Sequence, residues 1–480
     1  MIAVGRVQHF GICIIGAGPA GSALAIRLVQ LGHSVCVIER AQFPRSRIGE
    51  SLSPGVWPQL DLLRLRTAVA AGGFRQCPTS LVQWETDIPV RRHFGTAGLL
   101  VDRGRFDALL LDHARANGAR VIHPAVLRAR TRHEEGWRLT IEGPEGNCTI
   151  DTDFLADATG RCSILRGHKQ RVGPRTLAIY GYWRGSALPA EPQIEAGRDA
   201  WYWGVPLPNG TYNAMVFVDA AEFRTRRAVS LRASYRALIA RSGLKATCCD
   251  LDLSGPVRVA DATAYLDRDS IGPRCIKVGE SALALDPLSS SGVQKAINTA
   301  LVAAVVINTL LRCPHMAEAA HQFYLGNLRE AAEQHRRWAA SHYAAAARRH
   351  IGSFWQMRAA ATAAQAELKP APAIDFSQCS PAELRVTLAP EATFKDKPCI
   401  VGDFVATKPA LHHPGLDRPI AFLGGWELAP LLGPLRPGMP LSALMDAWPI
   451  PSTSKPAIAD WLLKYHVLKP FQQFNERILP

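Results

Sequence analysis

Three glycines in the order Gly16-x-Gly18-x-x-Gly21 follow the β-branched run at residues 10–15, and apolar residues then continue at helical spacing over 22–31. A break at Gly32-His-Ser precedes a second short apolar run, 35–38, which ends at Glu39. A strand, a glycine turn and a helix, with an acid at the end of the next strand, is an arrangement that binds a dinucleotide. Gly16 allows the tight turn, Gly18 lets the backbone approach a pyrophosphate, and Gly21 lets helix and strand pack closely. Bare backbone N–H groups where Pro19 and Ala20 open the helix then face the anion. Glu39 can accept both ribose hydroxyls of an adenosine.

The turn alone does not separate NAD from FAD, but four later segments do. Arg45-Ser-Arg47-Ile-Gly49-Glu50-Ser51 places cations and small residues after the second strand. Val101-Asp-Arg103-Gly-Arg105-Phe-Asp107 opens a helix, and Asp157-Ala-Thr-Gly160-Arg161 closes a strand. Gly279-Glu280-Ser-Ala leads to Asp286-Pro287-Leu-Ser-Ser-Ser-Gly292-Val293 and a long apolar helix. In this order the segments, over residues 8–365, resemble the glutathione-reductase-type FAD monooxygenases. Within these, the chain is most similar to the branch that contains the flavin-dependent halogenases.

The resemblance implies that Gly16, Gly18, Gly21 and Glu39, with Pro19, Ala20 and Arg40 beside them, hold the ADP half of FAD. It implies Arg47, Ser51 and Arg103 near the flavin phosphates and ring, and Asp157 with Gly160 as a brace of the dinucleotide fold. Gly279 and Glu280 would meet the ribityl phosphate; Glu280 stands where the family carries Asp. Pro287, Gly292 and Val293 would bring a helix N-terminus to the isoalloxazine, where its partial positive charge favours the anionic reduced flavin. The family's Trp-x-Trp-x-Ile-Pro signature is matched by Trp201, Trp203 and Pro206, with Val205 for Ile. In the family this motif separates flavin from substrate.

Chlorination in that branch also needs a lysine about thirty residues beyond the Gly49-Glu50 step. The chain has Phe74-Arg75-Gln76-Cys77 there, and its first lysine anywhere is Lys169. A permanently charged guanidinium does not replace a nucleophilic amine. The expected reaction is therefore hydroxylation of an electron-rich aromatic ring through a flavin C4a-hydroperoxide, with O2 as co-substrate. His93, Glu85 and Asp87 are alternative general bases, and the residues alone do not choose among them. Electrons would come from NAD(P)H directly or from a separate flavin reductase. Competing expectations are a flavin-dependent reductase of a double bond, a halogenase disfavoured by the missing lysine, and a non-catalytic FAD-holding assembly protein.

The elements that must position these groups predict an α/β Rossmann FAD domain of the glutathione-reductase type, with a sheet-rich α+β substrate domain and a small C-terminal domain. The FAD domain is expected at 8–82, 99–171 and 262–315, and the substrate domain at 83–98 and 172–261. Alternation over 177–183 and 212–218 predicts strands there, and Tyr180, Tyr182, Trp183, Trp201, Tyr202, Trp203 and Tyr212 are expected to form one aromatic cluster. Residues 316–369 are Ala-rich at helical spacing and are expected to pack on the FAD domain. Beyond 370 the composition changes: 17 of the 34 prolines fall in 370–480, which predicts a separate loop-rich module. In it, 396–403 and 418–422 read as strands and 457–468 as a short helix.

The 480 residues, 48% hydrophobic, are enough for two or three cores. Eleven scattered cysteines without a Cys-x-x-Cys pair or Cys/His cluster predict reduced thiols, no metal site and a cytoplasmic protein, as does a start without a leader segment. The apolar run 296–311 is short and contains Asn298 and Asn308, so it reads as a buried helix rather than a membrane span. Net charge is +14. No nucleic-acid motif accompanies it, so the surplus suggests steering of an acidic protein or peptide substrate. The chain is similar to flavoprotein monooxygenases that hydroxylate peptidyl tryptophan in tryptophylquinone cofactor biogenesis. That resemblance stands beside the alternative of a small aromatic metabolite.

Overall fold

The structure is a computed structural model that describes residues 7–144, 146–186, 188–224, 229–360 and 383–471. The chain divides into two compact units, one of residues 1–313 and 324–364, the other of 314–323 and 365–480. The expected boundary at Pro370 lies outside the described residues.

In the first unit, β1 (Gln8–Ile15) pairs in parallel with β2 (Val35–Ile38) on one side and with Gly146–Asp157 on the other. The parallel arrangement continues to Arg120–Ile122 beyond β2 and to Cys275–Lys277 beyond Gly146–Asp157. Helices cover such a sheet on both faces, so its strands run apolar without alternation; Ile12 to Ile15 and Val35 to Ile38 are all buried. Between β1 and β2 lies α1 (Pro19–Gln30), with Pro at its first position, where a missing N–H leaves nothing unsatisfied. Its end is closed by Gly32 at φ +80°. Gly32 N donates to Val29 O and His33 N to Leu28 O, the paired bonds of a Schellman cap.

A second eight-stranded sheet has the order Asp252–Asp261, Thr176–Arg184, Thr211–Asp219, Trp201–Pro206, Gln193–Ala196, Arg75–Gln83, Val90–Leu100, Ser51–Leu52. Both predicted strands, 177–183 and 212–218, lie within it, paired in continuous antiparallel register from Thr176↔Asp219 to Arg184↔Thr211. The sheet takes in Ser51–Leu52 and most of Arg75–Gln83, which sequence reading had placed in the FAD domain. Non-local pairing decides this: Ser51 bonds across to Leu100 and Leu81 lies beside Gln193.

Alternation also divides the aromatic residues. Trp201, Phe217, Met215 and Ala178 pack on one face against Trp84, Leu288, Tyr343, Phe354 and Trp355, with Tyr180 and Trp203 at the margin. Trp183, Tyr202 and Tyr212 point the other way, into a core with Tyr235 and Leu238. The single cluster expected from sequence is therefore two, and only half of it shares a face with the Pro287–Ser289 loop.

The apolar run 296–311, expected to be a buried helix, lies in the helix Gly292–Arg312, most of which is buried inside the protein. Its Asn308 is fully buried, and its Oδ1 accepts a hydrogen bond from His33 Nε2 at 2.9 Å. The region 316–369 contains Ala317–Ala347 and Ser353–Ala359.

The second unit has its own core of Val386, Leu411, Leu428, Leu431, Leu444, Trp448, Leu462 and Val467. A hairpin joins Thr393–Val401 to Phe404–His412 through Gly402 at φ +58°. The expected strand 396–403 therefore ends two residues early, because that glycine turns the chain. Of the expected strand 418–422, only an isolated Leu411↔Ile420 bridge and the first residue of Phe422–Leu423 form. The helix expected at 457–468 is Lys455–Lys464; it ends four residues early, because His466 at φ +57° turns the chain and Leu468 opens the strand Leu468–Pro470.

Candidate active site

The glycine turn is closely packed at two of its three glycines and open at the third. Gly16 sits at φ +101°, and a Cβ on it would lie 2.5 Å from the Ala158 carbonyl oxygen. On Gly21 a Cβ would be 1.9 Å from Gly16 O. Gly18 differs: the nearest atom to an added Cβ is Arg45 Nη2 at 3.5 Å. Gly16 and Gly21 are thus required by the fold itself, whereas Gly18 leaves an open approach to the start of α1. Glu39 is buried, and its two oxygens accept Ala17 N and Ala41 N at 2.8 Å each. An ionised carboxylate has further lone pairs, so ribose hydroxyls can still be accepted.

Arg40 and Arg47 are exposed. The cation beside the turn is Arg45, whose guanidinium lies 3.8 Å from Glu39 and 3.6 Å from Asp107 and over the Phe43 ring. Burial lowers its pKa, against the pull of Asp107 and Glu39. Sequence reading passed over Arg45 for Arg47 because both stand in one loop, and only the chain's path shows which turns inward. Arg103 is buried and fully engaged. It grips Asp107 through Nε and Nη2 at 2.9 and 3.1 Å and donates Nη1 to Ile48 O at 2.6 Å. Burial works against its charge, but Asp107 outweighs this and raises its pKa. Arg103 therefore braces the loop that carries Gly49.

Asp157 is wholly buried and accepts five donors: Thr159 N and Oγ1, Ser163 Oγ, Leu165 N and Ser281 Oγ. Through them it holds the turn with Gly160 (φ +72°) against the 279–281 turn. Gly279, at φ +62°, has no space for a side chain, since a Cβ would be 2.7 Å from Ala20 Cβ. Its N–H is held by Thr299 Oγ1 at 2.9 Å. Glu280 is exposed, and its carbonyl accepts Tyr265 OH.

Asp286 caps the Pro287–Ser289 turn through Leu288 N at 3.0 Å and receives Tyr343 OH at 2.9 and 3.1 Å. Burial raises its pKa against these hydrogen bonds. Ser290 at φ +51° then redirects the chain, so that Gly292 opens the long helix with no atom near its would-be Cβ. Val293 lies beside Gly49, whose Cβ would be 3.9 Å from Val293 Cγ2.

Where the Gly49 turn meets the second sheet stands Glu50, 2% exposed. Its Oε1 accepts Tyr182 OH at 2.7 Å and Asn213 Nδ2 at 3.1 Å; Oε2 accepts Gly49 N at 2.8 Å. Burial raises its pKa, against those hydrogen bonds and the charge of Arg103. Asn213 Oδ1 is a buried acceptor with no partner. Ser51 continues the chain from Glu50 into the sheet, opposite Leu100. Trp201 is stacked on Phe217 at 3.6 Å between centroids. Trp203 is less buried and borders both the aromatic cluster and a small one of Cys77, Leu100, Val205 and Leu207. Pro206 ends that strand.

The three bases considered from sequence lie elsewhere. His93 is exposed on Val90–Leu100, Glu85 is 3.9 Å from Arg92 at the surface, and the exposed Asp87 pairs with Arg349. They occupy a hairpin that projects into solvent, so none joins Glu50. The signal for Glu50 was its Gly49-Glu50-Ser51 context, but its partners come from strands more than a hundred residues away.

The cradle of Gly16, Gly18 and Gly21, the buried Glu39 and the open start of the long helix fit FAD. Comparisons with known proteins agree. The tryptophan halogenase family model matches residues 93–378, and the FAD dependent oxidoreductase model matches residues 11–173. A tryptophan 2-halogenase of Chondromyces crocatus is 33% identical over 65% of this chain; the match spans 64% of that protein's own length. A flavin-dependent halogenase of Armillaria mellea, armH4, is 31% identical over 66% of this chain and 68% of its own. Among solved structures, the peptidyl tryptophan dihydroxylase QhpG, described as essential for tryptophylquinone cofactor biogenesis, is 28% identical at TM-score 0.74. It covers 95% of this chain and 99% of its own. The flavin-dependent halogenase CmlS shares the fold at TM-score 0.76 and 21% identity over 97% of this chain and 96% of its own. With its FAD cradle and these matches, the chain belongs to the tryptophan halogenase family and is an FAD-dependent oxidoreductase.

Proposed function

We propose that this enzyme is a monooxygenase that hydroxylates an electron-rich aromatic ring, and that the ring is a tryptophan within a protein or peptide. The observation that carries the reading is the strand Arg75–Gln83. In the halogenase branch a lysine is expected in this region, but here the strand holds none, and its buried Cys77 packs with Val205 against Trp203. No lysine side chain precedes Lys169.

Bound FAD, once reduced, supplies the activation of O2. The residues of the chain do the rest. Trp203, Tyr182 and Asn213 form an aromatic and polar wall, and Glu50 stands in it as a proton acceptor. An aromatic carbon that gains oxygen must lose its ring proton to recover aromaticity, and Glu50 is placed to take it, held in one orientation by Tyr182. The likeness to QhpG over nearly both full lengths supports a peptidyl substrate. The net charge of +14 favours an acidic one. With a single dinucleotide turn in the chain, a separate reductase or a transiently docked NAD(P)H delivers the electrons.

The test is intact-mass analysis of acidic, tryptophan-containing peptides incubated with the holoenzyme, a flavin reductant, O2 and bromide. One or two added oxygen atoms on the tryptophan are expected. The activities of the curated relatives favour halogenation as a second reading, and a brominated product would establish it in place of hydroxylation. A product saturated without oxygen uptake would sink both.

A further inference from the structure

Lys295 sits in the first turns of the Gly292–Arg312 helix, and the structure gives it nothing to bind. It is 92% buried, and its Nζ has no hydrogen-bond partner. Among the described residues it is in no ion pair. Its neighbours in sequence are accounted for: Gln294 reaches Ser53, and Ala296 packs toward Gly279. Four residues on, and therefore on the same helix face, Thr299 holds the N–H of Gly279. Lys295 thus looks onto the Gly279-Glu280 turn, where the start of the Gly292–Arg312 helix meets the dinucleotide fold.

An unpaired ammonium is costly to bury. A cation near a helix N-terminus is also opposed by the positive end of the helix dipole. Both penalties fall if negative charge arrives nearby. Glu280 supports the charge from the 279–281 turn, Arg161 opposes it from the turn after Asp157, and His335 on the Ala317–Ala347 helix feels it. Burial lowers the Lys295 pKa to about 8, so the ammonium is predominantly charged at neutral pH.

We propose that Lys295 is an electrostatic positioning residue for reduced FAD: its buried, unpaired ammonium offsets the negative charge that two-electron reduction places on the flavin, and Glu280 is the opposing charge that moderates it. The proposal rests on FAD binding and is independent of what substrate is oxidised. Uptake of two electrons and one proton leaves the reduced flavin with one net negative charge, whereas the oxidised ring is neutral. A fixed cation therefore favours the reduced state, and an anion disfavours it. The same logic applies to sulfite, which adds to oxidised flavin to give an anionic adduct.

The experiment measures the two-electron midpoint potential and the sulfite affinity of holoenzyme for wild type, Lys295→Met, Lys295→Arg and Glu280→Gln, with FAD stoichiometry recorded for each. Lys295→Met is expected to lose about tenfold in preference for reduced flavin, which is about 30 mV for a two-electron couple, and about tenfold in sulfite affinity. Lys295→Arg should restore both, and Glu280→Gln should shift the potential upward. Lys295→Met holding full FAD at the wild-type potential overturns the proposal, and so does a downward shift in Glu280→Gln. If Lys295→Met does not retain FAD, an unchanged potential in Glu280→Gln overturns it instead. Absence of FAD from the wild type would mark failure of the cofactor assignment, a separate result.

Discussion

Tyr182 donates its hydroxyl to Glu50 across 2.7 Å, although 132 positions separate the two residues. The bond ties the turn after β2 to the face of the second sheet that carries Trp203, and it orients a buried carboxylate where the Gly49 turn meets that sheet. Glu50→Gln keeps the volume and removes the proton acceptor. It is expected to lower the hydroxylation rate by roughly 100-fold or more, the range for loss of a general base, while FAD stays bound and reducible. Single-turnover kinetics after anaerobic reduction would check this; an unchanged rate would remove Glu50 from the chemistry.

The same pair predicts a pH dependence. Burial raises the Glu50 pKa, and the Tyr182 hydrogen bond opposes that rise. Activity should therefore increase with pH as Glu50 ionises, with a midpoint above the ordinary carboxylate range. Tyr182→Phe should move the midpoint further up. As a stability contribution the sign is opposite: the neutral form is favoured in the fold, so the contribution is full below the unfolded pKa and lost as pH rises through the folded one.

His335 provides an independent case. Its Nε2 is 3.0 Å from the Asp286 carbonyl, and burial lowers its pKa, against the attraction of Asp286. The folded state then holds the ring neutral while the unfolded state takes up a proton. Its stability contribution is present above the unfolded pKa, near 6.5, and declines as pH falls toward the folded pKa. Melting temperature measured between about pH 5 and 8 should fall on the acid side in wild type and fall less in His335→Gln.

Gly18 and Gly21 should fail in different ways. Gly18→Glu fills the open approach with a repelling carboxylate, and the purified protein should fold but remain colourless. Gly21→Ala puts a methyl group 1.9 Å from Gly16 O, so it should destabilise the unit itself by about 3 kcal/mol, at the upper end for overpacking. FAD absorbance and thermal melting, measured together, separate the two outcomes.

Arg91 and Arg92 lie on the exposed hairpin that also carries His93. If the substrate is acidic, reversing both to Glu should raise KM several-fold and flatten its salt dependence, with kcat unchanged, as expected for rim charges that steer encounter. Equal KM values at low salt would remove this hairpin from substrate capture.

Local sequence determined much of the first unit. The Gly16, Gly18, Gly21 and Glu39 arrangement was legible because each glycine answers a constraint within its own strand–turn–helix segment. The strands at 177–183 and 212–218 were legible from their alternation, and the 296–311 helix from its asparagines and length. What only tertiary structure decided was which side chains share a space. Arg45 rather than Arg47 reaches the glycine turn, the aromatic residues divide between two faces, and His93, Glu85 and Asp87 leave the site while Glu50 enters it. Lys295 looks ordinary in sequence, and only burial without a partner distinguishes it. Spacing along the chain specifies local geometry, but desolvation and charge pairing depend on strands and helices that meet only when the chain folds.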